Sequence, residues 1–186
     1  MANAGRTYLG STRSVATPLH DTETEDLMAL LNANSYQKGA WVLHMLRAEL
    51  GDKHFFEGVK GYYEKHKNET ANSEDLRIAL EKASRRNLKP FFASWVYGTG
   101  HPKYSLTWRW NRRTKTVRLM LRQTQSQPAF LNAVPITITT PQGREVVTLK
   151  PIRKEAIQDV RLRSAPTAVE IDPNNLVLDE ATVQRN

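Results

Sequence analysis

Cysteine is absent from the sequence. That excludes disulfides, thiolate metal sites and a cysteine nucleophile, and it leaves the redox compartment open. No apolar run approaches the roughly 20 residues that a membrane-spanning helix requires, so no membrane segment is expected. The first residues, Met1-Ala2-Asn3-Ala4-Gly5-Arg6, lack the charged-then-apolar pattern of a secretory signal. No G-x-S-x-G occurs, and Gly98-Thr99-Gly100 has no phosphate-loop context. Acidic residues are outnumbered, 19 against 27 Lys and Arg, for a formal charge of +8. Such a balance can attract nucleic acid, anionic lipid or acidic substrates. No recognition motif accompanies it, so an ordinary basic surface is the reading and no nucleic-acid partner is expected.

The sequence also lacks H-E-x-x-H, the helical motif in which two histidines bind zinc and the glutamate activates water. His44 is followed by Met45, His54 by Phe55 and His66 by Lys67. The inverted motif fails too, because His54-Phe55-Phe56-Glu57 ends in Gly58. With no ligand spacing among the histidines, none is expected to hold metal. His44 reads as a half-buried helix residue, His54 and His66 as helix-end surface residues. Glu23/Glu25 and Glu74/Asp75 read as helix-start charges rather than an acid and base pair.

What is present is a change of period. From Trp41 onward, Val42, Met45, Leu46 and Leu50 space one buried helix face, and Gly51 offers a stop. Ahead of it, residues up to about Leu19 read as irregular, and Thr22 or Thr24 can cap a short helix over Leu27, Leu30 and Leu31. Asp52 is a candidate cap for a helix through Phe55, Val59, Tyr62 and Tyr63, ending near Asn68. Gly58 and Gly61 weaken that helix unless they admit a close neighbour. Another helix starts near Asn72-Ser73 and buries Leu76, Ala79, Leu80 and Ala83. Pro90 suits the first turn of a last one, with Phe91, Phe92, Trp95 and Val96 as its apolar surface.

After Gly98-Thr99-Gly100-His101-Pro102 the period becomes two. Tyr104, Leu106, Trp108 and Trp110 alternate with Lys103, Ser105, Thr107 and Arg109, and Asn111-Arg112-Arg113-Thr114 can turn the chain. Val117, Leu119 and Leu121 continue the alternation. Further strands are expected at Val134–Ile138, Val147–Leu149, Ile157–Leu162 and Val169–Ile171. Lys103, Arg109, Arg113, Arg118 and Arg122 share the exposed parity, while Trp108 and Trp110 share the core parity. That is a solvated sheet face, not a stacking platform for bases. Helices first and strands after predict an α+β chain, with a helical segment over 1–100 and an antiparallel β-sandwich over 101–186.

Asn34-Ser35-Tyr36-Gln37-Lys38-Gly39-Ala40, with Val42-Leu43-His44-Met45-Leu46-Arg47, resembles the Tyr-x-Lys-Gly segment of the gluzincin aminopeptidases related to aminopeptidase N. Leu50-Gly51-Asp52, Phe55-Phe56, Tyr62-Tyr63, Phe91-Phe92, Trp95 and Gly100-x-Pro102 follow in that family's order, and the resemblance runs from about Pro18 to the end. It implies the C-terminal part of a thermolysin-like catalytic domain over 1–100 and the family's β-sandwich over 101–186. The implied activity is hydrolysis of N-terminal residues from peptides by a zinc metallopeptidase. Its zinc ligands, including the family's third ligand glutamate, would lie upstream of Tyr36, so this segment alone is expected to bind no zinc and to be inactive. The large helical C-terminal domain of many members would fall after Asn186. One functional position carries over: Tyr36, whose hydroxyl in that family hydrogen-bonds the scissile carbonyl oxygen as it becomes an oxyanion. The alternative is a non-catalytic scaffold or interaction module of the same architecture.

Overall fold

The computed structural model describes residues 1–186, the Leu27 side chain excepted, which leaves the expected Leu27 packing outside the described residues. The chain forms two compact units, Met1–Gly100 and His101–Asn186. The α+β class holds, with helices in the first and two sheets in the second.

The first unit opens on α1 (Ala2–Leu9) and α2 (Thr12–Ala16), where the sequence predicts irregular chain. Tertiary packing explains the difference, since it overrides weak local propensity. Tyr8 is fully buried and donates its hydroxyl to the Gly100 carbonyl at 3.3 Å. A Cβ on Gly5 would lie 3.2 Å from the Trp41 indole, so α1 packs closely on that ring. Ser11 caps α2 by accepting from the Ser14 N–H. Asp26, rather than Thr22 or Thr24, caps the 3-10 turn Leu27–Leu30 through the Met28 N–H. A π-helical turn, Asn34–Lys38, then runs without a break into α3 (Gly39–Leu50).

In α3 the residues Trp41, Val42, Met45, Leu46 and Leu50 are all buried, as their spacing predicts. Each such side chain contributes about 1.5–3 kcal/mol by leaving water. Gly51 ends the helix at φ 76° and ψ 157°, a region open to glycine but not the left-handed helical one. Asp52 does not cap α4 (Asp52–His66); it is that helix's first residue, held by a two-pronged pair to Arg47 at 2.8 and 2.9 Å. Tyr63 stays exposed. α5 (Ser73–Ser84) starts on a capping box between Asn72 and Asp75. α4 meets α5 at Gly58, where a Cβ would sit 2.7 Å from Leu80 Cδ2; Gly61 has open space instead. α6 (Lys89–Trp95) carries Pro90 in its first turn and buries Phe91, Phe92 and Trp95.

The second unit holds β1 (Lys103–Asn111), β2 (Thr116–Gln123), β3 (Val134–Thr140), β4 (Gly143–Leu149), β5 (Glu155–Arg161), β6 (Ala168–Ile171) and β7 (Glu180–Arg185). One sheet has the order β5-β2-β1-β7 and the other β4-β3-β6. Their buried sides supply the core: Tyr104, Leu106, Trp108, Val117, Leu119 and Leu121 from one, Val134, Ile136 and Ile138 from the other. The β1–β2 hairpin turns on Asn111, whose Oδ1 accepts from the Arg113 and Thr114 N–H groups. The expected all-antiparallel arrangement needs one correction: β7 pairs parallel to β1. β7 has little apolar alternation to reveal it, and every residue in it is exposed. Backbone pairing and the seating of Arg185 over the Trp108 ring, 5.1 Å from its centroid, hold it in place.

Candidate active site

Tyr36 lies in the π turn, and the turn explains its direction. A five-residue turn places positions four apart on nearly one face. Asn34 and Lys38 are accordingly buried, while Ser35 and Tyr36 point out; Tyr36 is 60% exposed. The wide turn is closed by the Gly39 N–H donating to the Asn34 carbonyl, five residues back.

Polar side chains fasten the turn at both ends. At the start, Asn32 Oδ1 accepts from the Asn34 N–H at 2.8 Å and the Ser35 N–H at 3.2 Å. The Asn34 amide donates to the Pro18 carbonyl, and the Ser35 hydroxyl to the Leu30 carbonyl. At the far end, Lys38 is wholly buried. Its ammonium donates to the Gly98 carbonyl at 3.2 Å and sits 5.8 Å from the Tyr8 ring centroid. Burial without a counter-ion in those contacts pushes the Lys38 amine down to about 8. The lysine is turned inward although it stands in a polar stretch.

Tyr36 borders a groove of about 430 Å³. Leu19, Leu43, Leu76, Phe92 and Val96 line it, with Ser35 and Ser73 as further polar lining. A phenol beside such a groove, exposed as it is, can donate a hydrogen bond to a group bound there. Among the described lining residues none is a carboxylate or a histidine.

The histidines have structural partners. His44 meets Trp41 edge-on at 5.5 Å, His54 Nδ1 lies 3.3 Å from the Leu50 carbonyl, and His66 Nε2 is 3.7 Å from Asp75. His101 is buried in the second unit against Glu180, at 2.7 Å. Among the described residues, no group of three or more His, Cys, Asp or Glu could hold a metal ion. A zinc site therefore does not fit the residues present.

Three cations of the second unit pair with carboxylates on the sheet surface: Arg118 with Asp159, Arg122 with Glu155, Lys103 with Glu180. Trp110, expected in the core, is half-buried instead. It borders a basic depression at the β1–β2 turn with Arg109, Arg112, Arg113 and Arg118, because the hairpin end outruns the core beneath it.

Residues 5–95 match the peptidase family M1 domain. Aminopeptidase N of Lactococcus lactis subsp. lactis is 40% identical over 70 residues, which are 38% of this chain and 8% of that protein. A probable aminopeptidase 2 of Sulfurisphaera tokodaii is 27% identical over 139 residues, 74% of this chain and 17% of that protein. The chain thus spans less than a fifth of either relative. The crystal structure of Legionella pneumophila aminopeptidase A in complex with aspartic acid matches with a TM-score of 0.77 at 15% identity, over 96% of this chain and 21% of that one; this likeness concerns the fold. The Tyr36-Gln37-Lys38-Gly39 turn falls within the stretch matched by the peptidase family M1 domain, and over that stretch the chain is similar to aminopeptidase N-like proteins.

Proposed function

We propose that this chain is the part of a zinc aminopeptidase that contributes the end of the catalytic domain, residues 1–100, and the β-sandwich domain, residues 101–186. The complete enzyme removes N-terminal residues from peptides. Its zinc is held by residues outside this segment, since those described here offer no ligand set. The segment's own contribution to the chemistry is the Tyr36 hydroxyl.

The observation that carries this reading is the outward Tyr36 on a pinned π turn beside an apolar groove. When water adds to the first peptide bond, negative charge gathers on the carbonyl oxygen. A neutral phenol does little for that oxygen before attack and much more once it is charged. The hydrogen bond acts mainly in the transition state and belongs in the turnover number. Pinning matters because a donor already aimed at the oxygen costs no reorganisation during reaction.

The test is Tyr36→Phe in the longer chain. It removes the hydroxyl and keeps the ring. Turnover should fall roughly a hundred- to a thousand-fold, about 3–4 kcal/mol, with KM and melting temperature near wild type. A non-catalytic scaffold predicts little kinetic effect. Retention of more than about a third of normal turnover, under 1 kcal/mol of barrier, ends the catalytic assignment.

A further inference from the structure

The least expected feature of the helical unit is a lysine with no exposed surface. Lys38 is buried completely, in the same five-residue turn that carries Tyr36. A buried ammonium is costly, and a leucine or methionine would fill the same volume without that cost. The contacts made by the amine show what it holds together. It donates to the carbonyl of Gly98, sixty residues away, just beyond the end of α6. It also lies against the ring of Tyr8 from α1, whose own hydroxyl donates to Gly100. One side chain therefore ties the π turn to α1 and to the stretch after α6.

Gly98 is fixed in turn. A Cβ there would fall 2.6 Å from the Ser94 carbonyl oxygen and 2.9 Å from that of Ala93. Its peptide is pressed against the end of α6 and presents a carbonyl that has little room to move. At the other end of the turn, Asn34 is anchored to the carbonyl of Pro18. A π turn is an unfavourable insertion in a helix and persists where its surroundings over-determine it. Both anchors lie on the face opposite Tyr36. If the turn relaxed to ordinary helix, the residues before Gly39 would rotate by roughly one position, about 100°, and the hydroxyl would leave its bearing.

We propose that Lys38 is a positioning residue for Tyr36: through Gly98 and Tyr8 it holds the π turn open and fixes the direction of the phenol. It touches no substrate and acts through Tyr36 alone. This rests on Tyr36 being the oxyanion donor, and the two claims separate in a double-mutant cycle.

The experiment compares wild type, Lys38→Met, Tyr36→Phe and the double variant in the longer chain that carries this segment. Lys38→Met keeps the length and volume of the side chain and removes its donor. Turnover should fall at least ten-fold with KM changed less than three-fold. Adding Lys38→Met to Tyr36→Phe should cost nothing more, because there is no longer a hydroxyl to misplace. Lys38→Gln, run alongside, keeps a donor and should recover part of the loss; it serves for the cycle if the methionine variant fails to fold. A second readout is independent of activity: with 3-fluorotyrosine incorporated, the Tyr36 fluorine resonance should shift in Lys38→Met while those of Tyr62 and Tyr63 stay in place. Full turnover in Lys38→Met, or the same loss in both backgrounds, overturns the proposal. A neutral Tyr36→Phe instead sinks the catalytic reading of Tyr36, and the fluorine signal then decides the positioning claim on its own.

Discussion

Stability against pH offers a direct measure of the buried lysine. The amine titrates near 8 in the fold, against 10.5 as the ordinary value, because burial disfavours its charge. Below pH 8 the lysine is protonated whether the chain is folded or not, and the fold bears the whole penalty. Between 8 and 10.5 the folded protein has released the proton and the unfolded chain still holds it. The unfolded state then binds more protons, so stability rises with pH across this window and is flat beyond it. At ~1.4 kcal/mol per pKa unit the full rise is about 3 kcal/mol. Between pH 7 and 9.5 it amounts to about 2 kcal/mol.

The measurement is urea unfolding of the helical unit, followed by the fluorescence of Trp41 and Trp95, for wild type and Lys38→Met. Wild type should gain roughly 1 M in midpoint from pH 7 to 9.5, for a denaturant slope of about 2 kcal/mol per molar, and Lys38→Met should not. Working with the difference between the two proteins removes opposing titrations. Burial pushes the Tyr8 hydroxyl well above its ordinary value, so it stays protonated in the fold while the unfolded chain's ionises near pH 10, lowering stability there in both proteins. Parallel pH profiles, within about 0.5 kcal/mol, would refute the account of Lys38 as a buried, uncompensated charge.

Three further outcomes are expected. Gly58→Ala should destabilise the helical unit by about 1–3 kcal/mol in thermal or urea unfolding, since the new methyl meets Leu80 at 2.7 Å and its Cα at 3.0 Å. Asp179 is pushed up to about 7 by burial and then by Asp172, so wild type should lose stability as pH rises from 4 to 7; Asp179→Asn should be more stable at pH 8, by at most about 4 kcal/mol, and an unchanged midpoint would count against it. The 186-residue chain, purified and washed with chelator, should show no stoichiometric zinc by metal analysis and no aminoacyl hydrolysis; either signal would contradict the missing ligand set.

The parts of the fold that follow from hydrophobic periodicity were legible. Trp41, Val42, Met45, Leu46 and Leu50 fall on the buried face of α3, and Tyr104, Leu106 and Trp108 on the buried side of β1. Asn72 with Asp75, and Pro90, carry helix starts that local hydrogen bonding dictates. What escaped was set by partners distant in sequence. α1 is short and has few large apolar residues; Tyr8 and Gly5 order it against Gly100 and Trp41. β7 is an all-exposed strand that only its neighbour β1 defines. At the β1–β2 hairpin, Trp110 keeps the core parity but lies past the core.

The site divides along the same line. Tyr36 could be picked out because a short segment around it resembles a known pattern, and its position beside a helix start was readable from the period. The device that aims it was not. A lysine in a polar stretch before a helix reads as solvated, because lysine is almost never buried unless paired. Nothing local says that positions 34 and 38 will face inward, since residues four apart share a face in any helical turn and only packing decides which way that face points. The partners that make the burial tolerable, the Gly98 carbonyl and the Tyr8 ring, lie sixty and thirty residues away. Lys38 is therefore the tie between three segments, and the phenol on the opposite face of the turn owes its direction to it. Substitutions at Gly98 or Tyr8 should then act on Tyr36 without touching it, which a purely local reading of Tyr36-Gln37-Lys38-Gly39 does not predict.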